Sequence, residues 1–200
     1  MKQNNSKLPK STGILLHPTS LPGSPVCGTF GSSARKWLRL LADNGIGVWQ
    51  FLPLTPTDKF GSPYSSPSSF SYNPWFLDVN DLVKDGFLPS FVEDRLPGKG
   101  SESDQINVDF VLADLRSREV GKYLRTFWSS QSSIKHKEFN SWCESKFWLE
   151  AHSVYMELRY QNKELPWWKW DDNLRDYKKI KLDKFKEEFK DNLLEHCLIQ

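Results

Sequence analysis

The sequence is poor in cysteine and lacks the marks of secreted, membrane-spanning and metal-binding proteins. Its three cysteines, Cys27, Cys143 and Cys197, form no Cys-x-x-Cys pair and have no histidine at zinc-finger spacing. We therefore expect reduced thiols, a cytoplasmic protein, and no metal ion or other cofactor. No stretch approaches the roughly 20 apolar residues of a membrane helix, so we expect no membrane partner.

An excess of either charge is also missing. The 27 Lys and Arg residues nearly balance the 25 Asp and Glu residues, and the two signs are interspersed. Because no basic patch stands out, we expect no nucleic-acid partner. The hydrophobic fraction of 38% and the mean hydropathy of -0.59 predict a folded, soluble chain. The polar residues 1–12 are predicted to be a disordered tail.

Proline and glycine are almost absent from the second half of the chain. Eleven of the twelve prolines and ten of the eleven glycines lie at or before residue 100. The two halves are therefore predicted to be built differently. Residues 96–200 follow the helical spacing of apolar side chains in several segments, and we predict a helical subdomain there.

The first half carries a strand, helix and strand pattern. Residues 13–18 form a short apolar run that ends at a proline, and residues 48–52 form a second one. Between them, Ala34, Trp37 and Leu41 have the spacing of one helix face. A crossover helix makes the two strands parallel, and ligands of parallel α/β folds gather where such strands end. Residues 55–77 then form a long, aromatic-rich loop, which is typical of a functional segment.

Five sequence blocks in the first half resemble the amylomaltase family, glycoside hydrolase family 77, in the order in which that family has them. The blocks are Gly-Ile-Leu-Leu-His-Pro-Thr-Ser-Leu-Pro at 13–22, Gly-Thr-Phe-Gly at 28–31, Trp-Gln-Phe-Leu-Pro-Leu-Thr-Pro-Thr at 49–57, Ser-Pro-Tyr-Ser-Ser-Pro-Ser-Ser-Phe at 62–70 and Asn-Pro-Trp-Phe-Leu-Asp at 73–78. Ordered agreement over this length is far more specific than one short motif.

The resemblance implies an α/β fold, namely the N-terminal part of a TIM-type (β/α)8 barrel with a large, mainly helical insertion. Residues 13–95 would be the first βαβ unit with the substrate loop, and residues 96–200 the insertion. The family moves segments of α-1,4-glucan to the 4-hydroxyl of an acceptor sugar with retention of configuration. Such chemistry needs a nucleophilic carboxylate and an acid/base carboxyl group. In the family these acids lie later in the sequence, so we expect no catalytic residue and no remaining barrel within this chain.

The resemblance implies substrate contacts for Tyr64 and Ser62, which match the family's Ser-Pro-Tyr segment beside the cleaved bond. An aromatic face covers the apolar side of a glucose ring, and a phenol hydrogen-bonds a hydroxyl. His17, at the end of the first strand, is a further candidate for sugar contact, although a histidine before proline is more often structural. Asp78 and Asp81 are interpreted as helix-capping residues rather than a catalytic pair.

The tryptophans near residue 166 leave two interpretations open. Trp167, Trp168 and Trp170 form either a platform for sugar stacking or packing anchors between helices, and the second is favoured. For the whole chain three hypotheses remain: the N-terminal part of an active transferase, a protein that binds α-1,4-glucans and maltooligosaccharides without turnover, and a helical interaction protein.

Overall fold

The structure is a computed structural model that describes residues 10–22, 26–58, 60–98 and 108–200. Most of the predicted tail, residues 1–9, lies outside the described residues. Thr12 at its end is ordered by the chain beside it, because its carbonyl accepts a hydrogen bond of 3.1 Å from the Gly47 amide.

The predicted strand, helix and strand are confirmed in the first half. Strand β1 (Gly13–Leu15) pairs in parallel with β2 (Val48–Gln50), and helix α1 (Ser32–Asp43) connects them. The pairing continues past β1, where the Leu16 amide donates to the Gln50 carbonyl at 3.0 Å. The carboxyl ends of both strands therefore lie at one edge of this small sheet.

Tryptophan side chains fix the helix against the sheet. The Trp49 indole donates its N–H to the Leu16 carbonyl at 2.8 Å. Its ring meets the Trp37 ring of α1 edge-on, with the centroids 6.4 Å apart. Partial burial of these two large rings gives the short sheet apolar contact with the helix.

Helices follow the sheet through the rest of the chain. The α-helices are α2 (Val79–Lys84), α3 (Phe110–Trp128), α4 (Ser133–Glu144), α5 (Leu149–Gln161), α6 (Asp172–Arg175), α7 (Lys179–Glu188) and α8 (Lys190–Ile199). Short 3-10 helices cover Pro18–Ser20, Pro74–Phe76, Ser90–Arg95 and Trp167–Lys169. Within these described ranges, no helix is both long and apolar enough to cross a membrane.

Two apolar cores hold the helices together. The first joins α2, the 3-10 helix at Ser90–Arg95 and α3, through the buried residues Val79, Leu88, Val92, Leu96, Val120 and Leu124. The second joins α5 to α7, through Val154, Leu158, Trp170, Leu182 and Phe185. Leu96, the first residue of the predicted helical subdomain, is thus buried in the first core, and residues 99–107 lie outside the described residues.

The last amphipathic segment is two helices rather than one. Its apolar face runs from Leu182 to Cys197 in the sequence, but α7 ends and α8 begins at Phe189, whose φ of -107° and ψ of 21° leave the helical region. Leu182 and Phe185 still pack into the second core. The break lets α8 turn toward α3, where Arg125 donates to Glu195 at 2.7 Å.

Candidate functional site

The site predicted from the sequence is the segment that follows β2 at the carboxyl edge of the sheet. Its base is closed by the Asn73 amide, which donates to the Leu54 carbonyl at 3.1 Å. The Asn73 side chain then accepts the Trp75 amide at 3.0 Å and begins the 3-10 helix Pro74–Phe76. Residues 55–72 thus form a loop whose two ends are tied together, here named the substrate loop.

Asp58 orders the first half of the substrate loop. One oxygen of its carboxylate accepts the amides of Phe60 and Ser62, each at 2.9 Å. Its backbone carbonyl accepts the Gly61 amide at 3.0 Å. Such a carboxylate-centred turn replaces missing backbone partners and holds a tight bend. It places the Ser-Pro-Tyr segment directly after the bend.

Gly61 is held from the other side by the first residue of α3. Its φ of +77° lies in the left-handed region, and a Cβ there would lie 2.4 Å from the Phe110 ring. That ring also stacks on Trp75, with the centroids 5.4 Å apart. Only glycine satisfies both the backbone angle and this close approach. The loop is therefore braced by the helical half of the chain.

The serines of the loop serve its backbone. The Ser66 hydroxyl donates to the Ser68 carbonyl at 2.6 Å, and the Ser68 hydroxyl accepts the Phe70 and Ser71 amides at 3.3 and 3.2 Å. These short-range bonds make a rigid path without regular secondary structure. The serines of the loop therefore supply hydrogen bonds that its irregular backbone needs.

Tyr64 projects from this braced path. Its side chain is 75% exposed, whereas Ser62 beside it is half-buried. The Ser65 amide donates to the Ser62 carbonyl at 3.3 Å and closes a turn around the tyrosine. The turn therefore fixes the backbone at Tyr64, and the ring is exposed at the loop surface, where a ligand can stack on it.

His17 lies behind the base of the loop. Its Nδ1 is 2.8 Å from the Thr19 hydroxyl, and its ring packs against Phe76 with the centroids 5.7 Å apart. Burial lowers the pKa of His17, and the Pro53 backbone opposes this shift in part. Its buried Nε2 has no hydrogen-bond partner within the part of the chain that the structure describes. The histidine is therefore a packed ring whose Nε2 is enclosed by the protein.

Asp78 caps a helix, as the sequence predicts, whereas the Asp81 side chain forms an ion pair rather than a cap. Asp78 caps α2 by accepting the Asp81 amide at 3.1 Å, and its other oxygen accepts the Thr29 hydroxyl at 2.7 Å. Asp81 accepts two hydrogen bonds from Arg35, at 2.7 and 2.8 Å, and these lower the pKa of Asp81. Both carboxylates are occupied by protein donors.

An aromatic margin of the loop was missed by the sequence reasoning. Phe70 and Tyr72 are both more than half exposed. Phe70 meets Phe147 edge-on at 5.1 Å, and Tyr72 meets Trp148 at 6.3 Å. The aromatic content of residues 55–77 was the one signal for this margin in the sequence. It could not identify Phe147 and Trp148 as ring partners, because they lie far along the chain.

The last residue of the chain fastens the same margin. The Gln200 side chain accepts the Tyr72 amide at 2.7 Å and donates to the Tyr72 carbonyl at 3.0 Å. Gln200 also borders an open, mainly apolar pocket of about 370 Å³ lined by side chains of α2, α3, α4 and α8. The loop and the helical half therefore meet along the edge that Tyr72 and Gln200 share.

The prediction that the tryptophan turn is packed in the core is correct for Trp170 and wrong for its neighbours. Trp170 is 6% exposed, while Trp167 and Trp168 are 51% and 60% exposed. The 3-10 helix Trp167–Lys169 is a single turn that faces the core with one side. Trp170, which follows this turn, packs into the second core, and its indole donates its N–H to the Leu165 carbonyl at 2.8 Å.

The fold of the chain is shared with a solved amylomaltase. The amylomaltase of Streptococcus agalactiae, solved in complex with acarbose, superposes with a TM-score of 0.84 over 95% of this chain and 38% of its own. The sequence identity is 24%, so this likeness concerns the fold.

Similar sequences are 4-alpha-glucanotransferases. The protein of Thermus thermophilus is 32% identical over 97% of this chain, and the protein of Synechocystis sp. is 29% identical over 96%. A relative in Arabidopsis thaliana, described as chloroplastic/amyloplastic, is 29% identical over 83%. The chain spans 38% of the Thermus protein and 37% of the Synechocystis protein.

The sequence pattern of one family agrees with almost the whole chain. The match to glycoside hydrolase family 77, described as 4-alpha-glucanotransferase, covers residues 16–200. It includes the substrate loop, its brace at Phe110 and all the helices that follow. The chain therefore belongs to glycoside hydrolase family 77, the 4-alpha-glucanotransferases.

Proposed function

We propose that this chain forms one wall of the α-glucan site of a 4-alpha-glucanotransferase. The observation that carries the proposal is the substrate loop itself, which Asp58 and Phe110 brace and which presents Tyr64 at 75% exposure. The loop follows β2 at the carboxyl edge of two parallel strands, where ligands of parallel α/β folds bind. The acarbose complex of the similar amylomaltase adds support for a maltooligosaccharide as the ligand.

In the proposed fold, β1 and β2 are the first two strands of a (β/α)8 barrel, and the helical residues 96–200 are an insertion. Leu15 and Val48, on the two paired strands, are 59% and 45% exposed. Further barrel strands and helices would bury these side chains. The TM-score of 0.84 to part of an amylomaltase supports this arrangement.

In the proposed reaction, a segment of an α-1,4-glucan passes to the 4-hydroxyl of an acceptor glucose or glucan by retaining double displacement. One carboxylate attacks the anomeric carbon while a carboxyl group about 5 to 5.5 Å away protonates the leaving oxygen. The second group then deprotonates the acceptor hydroxyl as that hydroxyl displaces the enzyme carboxylate. We assign both groups to polypeptide outside residues 1–200.

The residues of this chain would bind and orient the sugar beside that bond. The Tyr64 ring covers the apolar face of a glucose unit, and its hydroxyl and that of Ser62 bond to sugar hydroxyls. His17 packs behind the loop and would reach a sugar only through a rearrangement that exposes its buried Nε2. Because the loop is ordered before the ligand arrives, little conformational entropy is lost on binding.

Calorimetric titration with maltotriose tests the proposal, with glucose release measured in parallel. The chain should bind the sugar and release no glucose. Loss of the stacking ring in Tyr64→Ala should weaken binding about tenfold. Tyr177→Ala is the matched control, since Tyr177 is also an exposed tyrosine (51%) but lies in the helical half. Equal affinities of the two variants would refute the role of Tyr64, and glucose release would refute the assignment of catalysis outside the chain.

A further inference from the structure

The turn between α5 and α6 is held in an unfavourable backbone conformation. Lys163 and Glu164 are consecutive non-glycine residues with φ of 54° and 61°, in the left-handed region. Side chains at such positions crowd their own backbone. Hydrogen bonds of 2.9 Å from the Lys163 amide to Tyr160 and from the Glu164 amide to Arg159 stabilise the turn. Strained turns of this kind persist only where the surroundings hold them, and they concentrate at ligand sites.

Ion pairs and a buried anchor make the turn rigid. The Glu164 carboxylate binds two arginines, Arg118 of α3 at 3.1 Å and Arg159 of α5. On the other side, Trp170 is buried and packs against Tyr155, with the ring centroids 5.4 Å apart. The segment between these two attachments has little freedom to move.

The rigid segment holds two tryptophans at the surface. The Trp167 and Trp168 rings lie 5.9 Å apart at 86° to each other and are 51% and 60% exposed. Removal of such rings from water is favourable, and adjacent exposed apolar side chains can form a contact surface for a ligand. These two side chains are here named the tryptophan pair.

The neighbours of the pair favour a sugar over a protein as its ligand. Lys163 and Glu164 lie before the pair and Lys169 and Asp171 after it, so charged residues bound a small apolar area made of the two rings and Leu165, which is 47% exposed. A stable protein interface needs a larger apolar patch. A sugar needs a flat ring for its C–H face and nearby polar groups for its hydroxyls, and this turn supplies both. Successive glucose rings of an α-1,4 chain are inclined to each other, which suits two rings that are not coplanar.

We infer that the tryptophan pair is a second contact surface for α-1,4-glucan, separate from the substrate loop. This inference rests on the proposed function for its class of ligand. The pair would bind a distant part of a long glucan chain, with one glucose unit on each indole. It would raise the affinity for long glucans and leave the binding of maltotriose at the loop nearly unchanged, because two linked contacts act together.

Native gel electrophoresis with and without soluble starch tests this inference. Retardation by starch should fall about tenfold, in terms of the apparent dissociation constant, when Trp167→Ala and Trp168→Ala are combined. The variant that combines Trp167→Phe and Trp168→Phe should keep much of the retardation by starch. Ile134→Ala is the control, because Ile134 is 68% exposed on α4 and lies outside both the turn and the substrate loop. Calorimetry with maltotriose should show equal affinity for wild type and the double Ala variant.

Each result bears on one of the two proposals. Unchanged retardation of the double Ala variant overturns the second surface, whereas unchanged maltotriose affinity of Tyr64→Ala overturns the proposed function alone. If the double variant fails to fold, fluorine NMR of the wild-type chain labelled with 5-fluorotryptophan is used instead. Maltoheptaose should then shift the fluorine resonances of Trp167 and Trp168, assigned by single Trp→Phe variants, and unshifted resonances would overturn the inference.

Discussion

At the residue scale, the shape of the substrate loop depends on Gly61. A larger residue at Gly61 would be destabilised both by the positive φ and by its contact with Phe110. Gly45 allows these two effects to be measured separately. Gly45 has a φ of +68°, but no atom lies within 4 Å of the position of a Cβ there. The two glycines therefore share the backbone angle and differ in the space around them.

Alanine at each glycine measures these costs. Gly45→Ala should lower the free energy of unfolding by about 1 kcal/mol, the strain of a left-handed alanine. Gly61→Ala should lower it by about 3 kcal/mol, because the methyl group also displaces the Phe110 ring. Urea unfolding of both variants gives the comparison. Equal losses would show that Phe110 does not brace the loop.

His152 is a residue whose burial predicts a pH dependence. It is 8% exposed, and burial together with the nearby His196 lowers its pKa from 6.5 to about 4. In the unfolded chain the ring takes up a proton near pH 6.5, whereas the folded chain keeps it neutral. The stability associated with the neutral ring is therefore present above pH 6.5 and is lost as the pH falls to about 4.

The size of this effect follows from the two pKa values. The free energy of unfolding should fall by about 3 kcal/mol across that range on account of His152. Burial raises the pKa of the neighbouring Glu157, but its bonds to His196 and Gln161 lower it below 4.5 overall. Glu157 therefore adds a loss at still lower pH. Urea unfolding from pH 7.5 to 4 should show a flatter profile for His152→Leu, and an unchanged slope would contradict the account.

At the element scale, α2 is attached to the rest of the first half by its cap. Asp78 accepts the Asp81 amide within the helix and the Thr29 hydroxyl from outside it. Asp109 is a simpler cap, which accepts only the Leu112 amide among the bonds that join described residues. The two aspartates differ by one tertiary hydrogen bond.

Alanine at each cap measures that difference. Asp109→Ala should cost about 1 kcal/mol of stability, the usual value of a helix cap. Asp78→Ala should cost about 2 to 3 kcal/mol, because the Thr29 hydroxyl also loses a charged acceptor in a buried place. Thermal or urea unfolding gives both values. A loss at Asp78 no greater than that at Asp109 would show that the Thr29 bond adds nothing.

The elements that the sequence predicts are those whose signals are local. The apolar runs of β1 and β2 and the helix spacing of α1 need only neighbours along the chain, and all three are present. The helix break at Phe189 has no proline or glycine to mark it. Its cause is tertiary, since α8 turns to pack on α3.

The candidate site was predictable in part for the same reason. The Ser-Pro-Tyr segment was found from its sequence, but its brace was not, because Phe110 is remote from Gly61 in the chain. The bonds between Tyr72 and Gln200 join residues 128 positions apart. Trp167 and Trp168 have the same composition signal as Trp170, and only the packing of the turn decides which of them is buried.

At the scale of the whole molecule, the two-stranded sheet leaves apolar side chains uncovered. Leu15 of β1 is 59% exposed and Val48 of β2 is 45% exposed. A sheet edge with apolar faces pairs readily with other chains. In the proposed barrel these side chains would be covered by further strands and helices.

The isolated chain should therefore self-associate through its sheet. Leu15→Lys should reduce the association seen by sedimentation velocity, because a charged side chain blocks the pairing of edges. Ile180→Lys is the matched control, since Ile180 is 75% exposed on α7, away from the sheet. Association that falls equally in both variants, or in neither, would contradict a role for the sheet.

The central claim is that residues 13–78 form one wall of an α-glucan site. The most direct measurement is a map of backbone amide shifts in the ¹⁵N-labelled chain as maltotriose is added. The account predicts saturable shifts concentrated at residues 60–72, around Tyr64, and extending to His17. A map in which maltotriose leaves residues 60–72 unshifted at saturation would contradict it.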